Sequence, residues 1–520
     1  MRRWLLLLLA GTAFARAGAG PFLILSWPGP GVPYDLIEEL KPAGVLLFSS
    51  NFAEGPGPIH ELRARYPDLL VFVDQEGGPF NSFRVPGVPR FPGAMALSAA
   101  DDPGLTRAVA RAIGEEVCYA GANVDFAPVL DVNTNPKNPI IGIRSFGADP
   151  ERVTRQGLAF IAGLEDAGVL PTAKHFPGHG DTSVDSHLGL PVYPKGSLPE
   201  IERVHLVPFK AAVRAGVPLI MTAHILYPDL DPDYPATLSK RILTGLLRET
   251  LGFKGAIVTD DMSMRAIRDR YGLGEAAVRA VRAGADLVIA GRDPDRARAI
   301  FRALSEAIEN GTITPERQAA SRARLAALRR RVRPPCPEPD WRSLEDLARR
   351  AARAGMTWLR GGLPIPGPGT LVVGPKIRPR YGEEPSLAAL APKYLPGAHY
   401  QEVSEVPTGP EIEATLARAK RFDRVVLGTY HWLGPLPDET IWLYQGLKAL
   451  GKPVYVVALG NPDDLVYLDP APDGYLATYG FRAVQVEAAL EALAGKFVPA
   501  GKLPVPVGPY PIGYGKGGVK

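Results

Sequence analysis

The sequence predicts an α/β protein in which a (β/α)8 barrel of the TIM type is followed by a second, smaller α/β domain. Between residues 21 and 335, eight short apolar runs alternate with helical stretches, and eight is the strand number of that barrel. A proline-rich stretch, "RPPCPEPDW" (333–341), then interrupts all regular patterning, and further strands are predicted beyond it. A doubly wound open sheet is the alternative for the first domain, because periodicity does not reveal whether a sheet closes.

The eight predicted barrel strands are each followed by a turn or a polar segment. The predicted strands are Phe22–Trp27, Gly44–Ser49, Leu69–Asp74, Asn123–Leu130, Pro171–His175, Pro218–His224, Ala256–Asp260 and Asp286–Ala290. Polar groups collect where several of them end, in "DQEGG" (74–78), "LDVNTNP" (130–136), "TAH" (222–224), "TDD" (259–261) and "GRDP" (291–294). Because strand ends share one face of a barrel, these segments predict an active site there. Asp131, Asn133 and Asp293 have the alternative role of holding the barrel rim together.

The boundary between the domains is predicted at residue 335. Thr314 as N-cap and Pro315 at the first helical position begin a helix that runs to about Val332, and the proline-rich stretch follows. The first domain is therefore assigned to residues 21–335 and the second to residues 336–520. Buried strands of the second domain are predicted at 370–375, 425–430, 453–460 and 475–480.

Composition and charge exclude several classes of protein. Of 520 residues, 46% are hydrophobic and 22% are charged, and the formal net charge is +4, which is typical of a globular protein. Basic residues are spread along the chain without a long basic run, so nucleic acid is not predicted as a partner. The sequence carries no signal for an oligomeric state.

The N-terminus has the pattern of a secretory signal peptide. Residues 1–20 combine a basic start at Arg2 and Arg3 with a short apolar run and an Ala-Phe-Ala cleavage pattern at 13–15. The run is too short for a stable membrane span, although an uncleaved anchor is the alternative. We therefore expect an exported protein, periplasmic or extracellular. Cys118 and Cys336 are the two cysteines, and their positions give no support for a disulfide between them.

The segment "KHFPGHGDTSVDSH" (174–187) contains three of the eight histidines. A metal site is not predicted, because Pro177 and Gly178 prevent the helix on which His175 and His179 would share one ion. No Gly-Lys-Ser/Thr pattern supports a phosphate-binding loop. Asp185 and His187 are two residues apart, a spacing at which the carboxylate can orient the imidazole for proton transfer. From the spacing alone, an ordinary loop histidine bonded to backbone is the favoured alternative.

Five blocks together resemble glycoside hydrolase family 3, and within it bacterial β-N-acetylglucosaminidases of the NagZ type. The resemblance extends over nearly all of residues 22–300 in the family's order, and its blocks are "DQEGG" (74–78), "IIGIRSFGADP" (140–150), "KHFPGHGDTSVDSHLGLP" (174–191), "MTAHILYPDLDPDYPATLS" (221–239) and "LGFKGAIVTDDMSM" (251–264). The second domain, with "AGKLPVPV" (500–507), is similar to the α/β sandwich domain of two-domain members.

The resemblance implies a role for particular residues. Asp260 matches the nucleophile, which forms a covalent glycosyl-enzyme intermediate with retention of configuration, although Asp261 is its rival by chemistry alone. His187 matches the acid/base and Asp185 its orienting partner. The implied sugar-binding residues are Asp74, Arg144, Lys174 and His175. Their alternatives are a buried salt bridge for Lys174 and Asp74 and a loop-holding role for Arg144, while His179 is expected to order the loop.

One segment departs from the family pattern. Members commonly read Asp-Gln-Glu-Gly-Gly-Arg-Val with a further arginine soon after, whereas this chain continues as "PFNSFR" (79–84). Arg84 is displaced by two residues, and two alternatives follow: Arg84 compensates from a new loop path, or the outer edge of the sugar is held differently. The departure bears on the preference for N-acetylglucosamine over glucose rather than on the reaction type.

The resemblance implies a retaining exo-β-N-acetylglucosaminidase that acts on peptidoglycan fragments and needs no cofactor, and the N-terminal signal predicts that it is exported. Its expected partner is a carbohydrate, and no metal is implied. A β-glucosidase or β-xylosidase of the same family is the enzymatic alternative, and a non-catalytic wall-binding protein is the alternative of another class. An imidazole acid/base repels an anionic acceptor less than a carboxylate does, so phosphorolysis is an alternative to hydrolysis.

Overall fold

The first domain is a closed barrel of eight parallel strands. The structure, a computed structural model, describes residues 18–194, 196–363, 365–377, 384–431 and 433–517. Residues 1–17, most of the predicted signal peptide, therefore lie outside the described residues. In chain order the strands are β1 (Leu23–Leu25), β2 (Gly44–Leu47), β3 (Leu70–Val73), β4 (Gln75–Gly77), β5 (Phe80–Asn81), β6 (Val124–Asp125), β7 (Leu170–Phe176), β8 (Leu219–Thr222), β9 (Ala256–Asp261) and β10 (Leu287–Ile289).

The barrel closes because β1 pairs with both β10 and β2. The order around it is β1, β10, β9, β8, β7, β6, β3 and β2, and β4 and β5 form a separate two-stranded hairpin. Ile24 aligns with Ile289 on one side and with Gly44 on the other. Each of the eight predicted strands overlaps one barrel strand, so the predicted barrel is confirmed and the open sheet is wrong.

The fourth barrel strand differs most from its prediction. Residues 123–130 were expected to be extended, but only Val124 and Asp125 belong to β6. Pro128 has no N–H to donate to a ladder, and the chain continues through single contacts, such as the one between Val129 and Lys174.

Helices surround the barrel. They are α1 (Tyr34–Leu40), α2 (Gly57–Arg65), α3 (Ala94–Ala100), α4 (Pro103–Tyr119), α5 (Pro150–Asp166), α6 (Leu198–Glu200), α7 (Leu206–Arg214), α8 (Arg265–Tyr271), α9 (Leu273–Ala283), α10 (Pro294–Glu309) and α11 (Pro315–Arg329). Residues Arg241–Thr250 form a π-helical segment. The helices α4, α5 and α10 each begin with an aspartate N-cap and a proline at the first turn, which fixes where the chain turns back onto the barrel. The predicted start of α11 is confirmed, because the side chain of Thr314 accepts from the amide of Arg317.

The second domain is a mixed sheet with helices. Its helices are α12 (Trp341–Gly355), α13 (Leu387–Tyr394), α14 (Gly409–Ala419), α15 (Asp438–Ala449) and α16 (Ala483–Leu493), and its strands are β11 (Thr357–Arg360), β12 (Thr370–Lys376), β13 (His399–Ser404), β14 (Arg424–Thr429), β15 (Val454–Ala458) and β16 (Gly474–Ala477). The sheet order is β11, β16, β15, β14, β12 and β13, with β11 antiparallel to β16 and the other pairs parallel. The α/β class is confirmed, and β11 and β13 are strands that the sequence analysis missed.

The domains are joined by a helix that packs in both cores and by a disulfide bond. The predicted boundary at residue 335 falls between α11 and α12. Leu344 and Ala348 of α12 pack in the barrel core, whereas Ala352 of α12 and Met356, which directly follows the helix, pack in the core of the second domain. Cys118 on α4 forms a disulfide with Cys336, with the Cα atoms 5.2 Å apart. In the described part of the chain, none of the helices has the length and apolar character needed to cross a membrane.

Candidate active site

A cavity of about 430 Å³ opens at the carboxyl ends of the barrel strands, a size suited to one small ligand. Its polar lining is Asp74, Arg144, Lys174, His175, His179, Ser186, His187, Asp260, Asp261, Ser263, Arg265 and Arg268. Its apolar lining is Leu46, Phe48, Phe80, Phe126, Ile140, Met221, Met264 and Ile289. The lining residues lie on or after different barrel strands because parallel strands bring their carboxyl ends to one face.

Asp260 lies at the end of β9, at the base of this cavity. Burial opposes ionisation of its carboxyl group, but the nearby imidazoles of His224, His175 and His187 outweigh burial and lower its pKa to about 2. The amide of Asp261 also donates to Oδ1 of Asp260, at 2.7 Å. Asp260 is therefore an ionised carboxylate at neutral pH, as a nucleophile requires.

Asp261, the chemical rival of Asp260, has a different environment. Its Oδ1 accepts the amide of Ser263 at 2.8 Å, and its own carbonyl accepts from Nε2 of His224 at 3.0 Å. Burial raises the pKa of Asp261 above its ordinary value. The Asp261 carboxylate thus organises the turn after β9, whereas Asp260 is the one of the pair whose pKa is lowered.

His187 lines the same cavity, on the loop that follows β7. Its Nδ1 and its backbone amide both lie 2.8 Å from Oδ1 of Asp185. The hydrogen bond to Asp185 raises the pKa of His187 against the effect of burial, and the charge of Asp260 raises it further. Because Asp185 accepts from Nδ1, Nε2 is the atom left to exchange a proton with a ligand.

A buried charge network forms the wall next to β7. Lys174 Nζ lies 2.7 Å from Asp74 Oδ1 and 2.6 Å from Glu76 Oε1. Arg144 donates to both oxygens of Glu76, at 2.8 and 2.9 Å. Burial opposes ionisation of Glu76, but Arg144 and Lys174 outweigh it and lower its pKa to about 2. The salt bridge proposed as the alternative role for Lys174 and Asp74 is therefore present, and both side chains also face the cavity.

Asp131 holds the two histidines that begin the same segment. Its Oδ2 lies 2.7 Å from Nδ1 of His175, and its Oδ1 accepts the amides of His175 and His179 at 3.1 and 2.7 Å. Asp131 is fully buried, so it lies behind His175 and leaves Nε2 as the ring atom available to the cavity. The ring of His179 contacts Thr182 and Ser186 and so connects the start of this loop with its end.

The segment that departs from the family pattern forms the hairpin of β4 and β5. Phe80 lines the cavity, and the guanidinium of Arg144 lies 4.4 Å from the centre of its ring. Arg84 does not line the cavity. Its Nε donates to the Asn81 carbonyl at 2.5 Å. The Phe80 ring therefore forms the part of the wall where Arg84 was expected to compensate. Arg84 does not reach it, because its side chain turns back to the backbone of the hairpin.

The group of side chains best arranged to hold a metal ion, among the residues the structure describes, lies in the second domain. His431, Asp463 and Asp464 are buried and offer donor atoms within 4.8 Å of one another. Burial opposes protonation of His431, but Asp464 and Asp463 outweigh it and raise its pKa to about 10. His431 therefore forms ion pairs with both carboxylates in the structure, with Nδ1 2.5 Å from Asp464 Oδ1 and Nε2 3.5 Å from Asp463 Oδ1.

The structure brings most of the predicted site residues together. Asp260, His187, Asp74, Arg144, Lys174 and His175 line one cavity, and Asp185 contacts His187 from behind. Glu76, Phe80 and Asp131 belong to the same site. The sequence analysis gave Glu76 and Phe80 no role of their own, and it named Asp131 only as a strand-end residue that could hold the barrel rim. Glu76 and Phe80 lie in or beside the quoted "DQEGG" segment, whereas the contact of Asp131 with His175 has no local signal.

Comparison with known proteins identifies similar sequences and structures. Residues 41–328 match the family described as glycosyl hydrolase family 3 N terminal domain. A beta-hexosaminidase A of Pseudoalteromonas piscicida is 37% identical over 330 residues, which is 57% of this chain and 55% of that protein. A beta-hexosaminidase of Methylococcus capsulatus is 38% identical over 309 residues, which is 58% of this chain and 89% of that protein.

A solved structure resembles nearly the whole chain. It is a glycoside hydrolase family 3 beta-N-acetylglucosaminidase from Paenibacillus sp. str. FPU-7, with a TM-score of 0.87 and 34% sequence identity. The match covers 94% of this chain and 98% of that one, so both domains have the same arrangement in the two proteins. The matched segment nevertheless spans only a little over half the length of the Pseudoalteromonas relative.

Proposed function

The chain belongs to glycosyl hydrolase family 3, since more than half of it matches that family, and from this we propose that it is a retaining exo-β-N-acetylglucosaminidase. One observation carries the proposal: an ionised Asp260 and an Asp185-oriented His187 line the same cavity. The relatives named beta-hexosaminidase and the structure named beta-N-acetylglucosaminidase support the same assignment.

The proposed reaction has two displacements. In the first, a carboxylate oxygen of Asp260 bonds to the anomeric carbon while the glycosidic C–O bond breaks and His187 Nε2–H protonates the departing oxygen. In the second, neutral His187 takes a proton from water as the water oxygen displaces Asp260. Two inversions leave the configuration retained. Asp74, Lys174 and His175 bind sugar hydroxyls, and the charged groups of Asp74 and Lys174 make the stronger hydrogen bonds. Arg144 and Phe80 form the adjoining wall.

The natural substrate we propose is a peptidoglycan fragment with a terminal β-linked N-acetylglucosamine. Arg265 and Arg268 line the cavity after β9, and such fragments carry carboxylates that a guanidinium can bind. The signal-like N-terminus and the disulfide between Cys118 and Cys336 support an exported protein, because disulfides persist in oxidising compartments.

Release of nitrophenol from its β-N-acetylglucosaminide and β-glucoside tests the proposal. We expect a strong preference for the N-acetylglucosaminide and loss of at least about 10³-fold in kcat in Asp260→Asn. Asp261→Asn is the matched control, because an asparagine oxygen can still accept the Ser263 amide, and it should retain far more activity. Preference for the glucoside would indicate a β-glucosidase of the same family, and no turnover by folded protein would indicate a binding protein.

Two further assays address the finer proposals. Release of N-acetylglucosamine from GlcNAc-anhydroMurNAc-peptides, compared with a neutral disaccharide, tests the peptidoglycan substrate. Formation of N-acetylglucosamine 1-phosphate in the presence of phosphate would indicate phosphorolysis, whereas its absence at a normal hydrolysis rate would exclude it.

A further inference from the structure

A fully buried arginine of the second domain contacts the hairpin that borders the active site. Arg482, directly before α16, has no exposed side-chain surface. Its Nε donates to the carbonyl of Gly78 at 2.7 Å, and its Nη2 approaches the carbonyl of Pro79 at 3.3 Å. Both carbonyls belong to the turn between β4 and β5, about 400 residues earlier in the chain. The fork of a guanidinium suits two neighbouring acceptors.

Glu384 fixes the position of this guanidinium. Its carboxylate accepts from Nη1 of Arg482 at 3.0 Å, from Nη1 of Arg90 at 2.7 Å and from the amide of Ala483 at 2.9 Å. The carboxylate therefore caps the first turn of α16 while it pairs one arginine from each domain. Its side chain is only 7% exposed, so these hydrogen bonds are shielded from water.

The turn that Arg482 contacts is also held by contacts within the barrel domain. The carbonyl of Gly78 also accepts from Asn81 Nδ2 at 2.8 Å. The amide of Gly78 donates to the carbonyl of Phe91 at 2.9 Å. Gly78 has φ +56°, and a Cβ there would lie 2.9 Å from the Cα of Gly93, so only glycine fits this close approach.

The hairpin connects this turn directly to the cavity. Asp74 and Ser82 exchange hydrogen bonds across its base, at 3.0 and 3.1 Å. Glu76 lies on β4 and holds Arg144 and Lys174, and Phe80 lies on β5 and lines the cavity. A shift of the turn would therefore move the carboxylates that place both basic groups.

We propose that Arg482 is a positioning residue for catalysis, through which the second domain sets the hairpin that carries Asp74, Glu76 and Phe80. The proposal rests on the proposed function for its catalytic consequence, but the bracing itself does not depend on any substrate. The second domain thus takes part in substrate placement, although Arg482 does not line the cavity.

The test compares Arg482→Gln and Arg482→Lys in the full chain. For Arg482→Gln we expect a fall in kcat/KM of about 10- to 100-fold, mainly through KM, since small displacements of binding groups cost factors of this size. Arg482→Lys should recover part of the loss, because an ammonium reaches one carbonyl but cannot span two. Tyr475→Phe is the matched control, because it removes two buried hydrogen bonds in the same domain, one to the Pro462 carbonyl and one from the Leu465 amide, without touching the hairpin.

A second readout is independent of activity. Amide hydrogen exchange of residues 74–84 should accelerate in Arg482→Gln and not in Tyr475→Phe, at a temperature where both are folded. Unchanged exchange and unchanged kinetics in folded Arg482→Gln would overturn the proposal. If that variant does not fold, Glu384→Gln should shift KM and hairpin exchange in the same direction, and its failure to do so would also overturn it. If amide exchange of residues 74–84 is faster in Arg482→Gln but the wild-type protein has no glycosidase activity, only the proposed function is refuted.

Discussion

Nδ1 of His187 and Oδ1 of Asp185 lie 2.8 Å apart on the loop after β7. The His187 side chain is 55% exposed and lines the cavity. Asp185 is the largest cause of the raised pKa of His187. In the proposed first displacement the protonated imidazole donates the proton, so we expect this pair to extend activity toward alkaline pH.

Asp185→Asn should move the alkaline limb of the kcat/KM profile to lower pH. The raised pKa of His187 keeps the imidazole protonated to higher pH, and an amide at position 185 no longer stabilises that charge. Asp181→Asn on the same loop is the control, because Asp181 contacts Thr134 instead. An unchanged limb in Asp185→Asn would show that His187 is not the titrating acid.

His187→Ala should lose activity in proportion to the leaving group's need for a proton. A disaccharide, whose departing alcohol is a poor leaving group, should lose about 10²- to 10⁴-fold in kcat/KM. A dinitrophenyl glycoside, which departs without a proton, should lose much less in the step that forms the glycosyl-enzyme. Pre-steady-state release of dinitrophenol measures this step. Equal losses for the two substrates would argue against an acid role for His187.

Much of the fold was predictable because its signals are local. Each barrel strand is a short apolar run with a turn after it, and the residues around Asp260 and His187 form compact motifs. The strands β11 and β13 were missed for different reasons: β11 follows α12 after a single residue, and the first residues of β13, His399 and Tyr400, are exposed, so neither gives a bounded apolar run.

The contacts that complete the site were not predictable because they join distant positions. Glu76 and Arg144 are 68 residues apart and Asp131 and His175 are 44 apart, so their pairing follows from barrel closure rather than from spacing. The disulfide closes 218 residues, and Arg482 reaches the hairpin from the other domain. The cis peptide bond between Lys174 and His175 also has no signal in residue type.

Glu76→Gln should destabilise the protein and weaken substrate binding together. Arg144 and Lys174 would lose a buried carboxylate partner, which costs about 3–5 kcal/mol in the free energy of unfolding. The folded-state pKa of about 2 lies below the ordinary 4.5, so the stabilisation by Glu76 is present above pH 4.5 and is lost as the pH falls toward 2. Urea denaturation at several pH values should therefore show the gap between wild type and variant closing in acid. Glu309→Gln, at an exposed position, should leave the free energy of unfolding close to that of the wild type at every pH. A loss of stability in Glu76→Gln that does not change with pH would contradict the ion pairing.

Asp286→Asn should be among the more destabilising single substitutions in the barrel. Asp286 is fully buried, and Arg248, Arg317 and Arg324 lie 2.6, 3.0 and 3.0 Å from its oxygens. Burial opposes its ionisation, but these guanidiniums outweigh burial and keep its pKa low. Removing the charge should cost about 3–5 kcal/mol in urea denaturation. Asp295→Asn, whose side chain is 94% exposed beside Arg298, should cost less than about 1 kcal/mol, and equal costs would contradict the argument.

Removing the disulfide should lower stability without changing catalysis. Cys118 and Cys336 join α4 to the segment before α12 and neither lines the active-site cavity. Their bond restricts the unfolded chain, so the double variant Cys118→Ser with Cys336→Ser should lose about 2–4 kcal/mol. Thermal unfolding of wild type should fall to the same midpoint when a reducing agent is added, and the double variant should not respond to that agent. kcat and KM at 25 °C should be unchanged, because the barrel remains folded there. A reductant-insensitive wild type would mean that the two cysteines are not bonded in the folded protein.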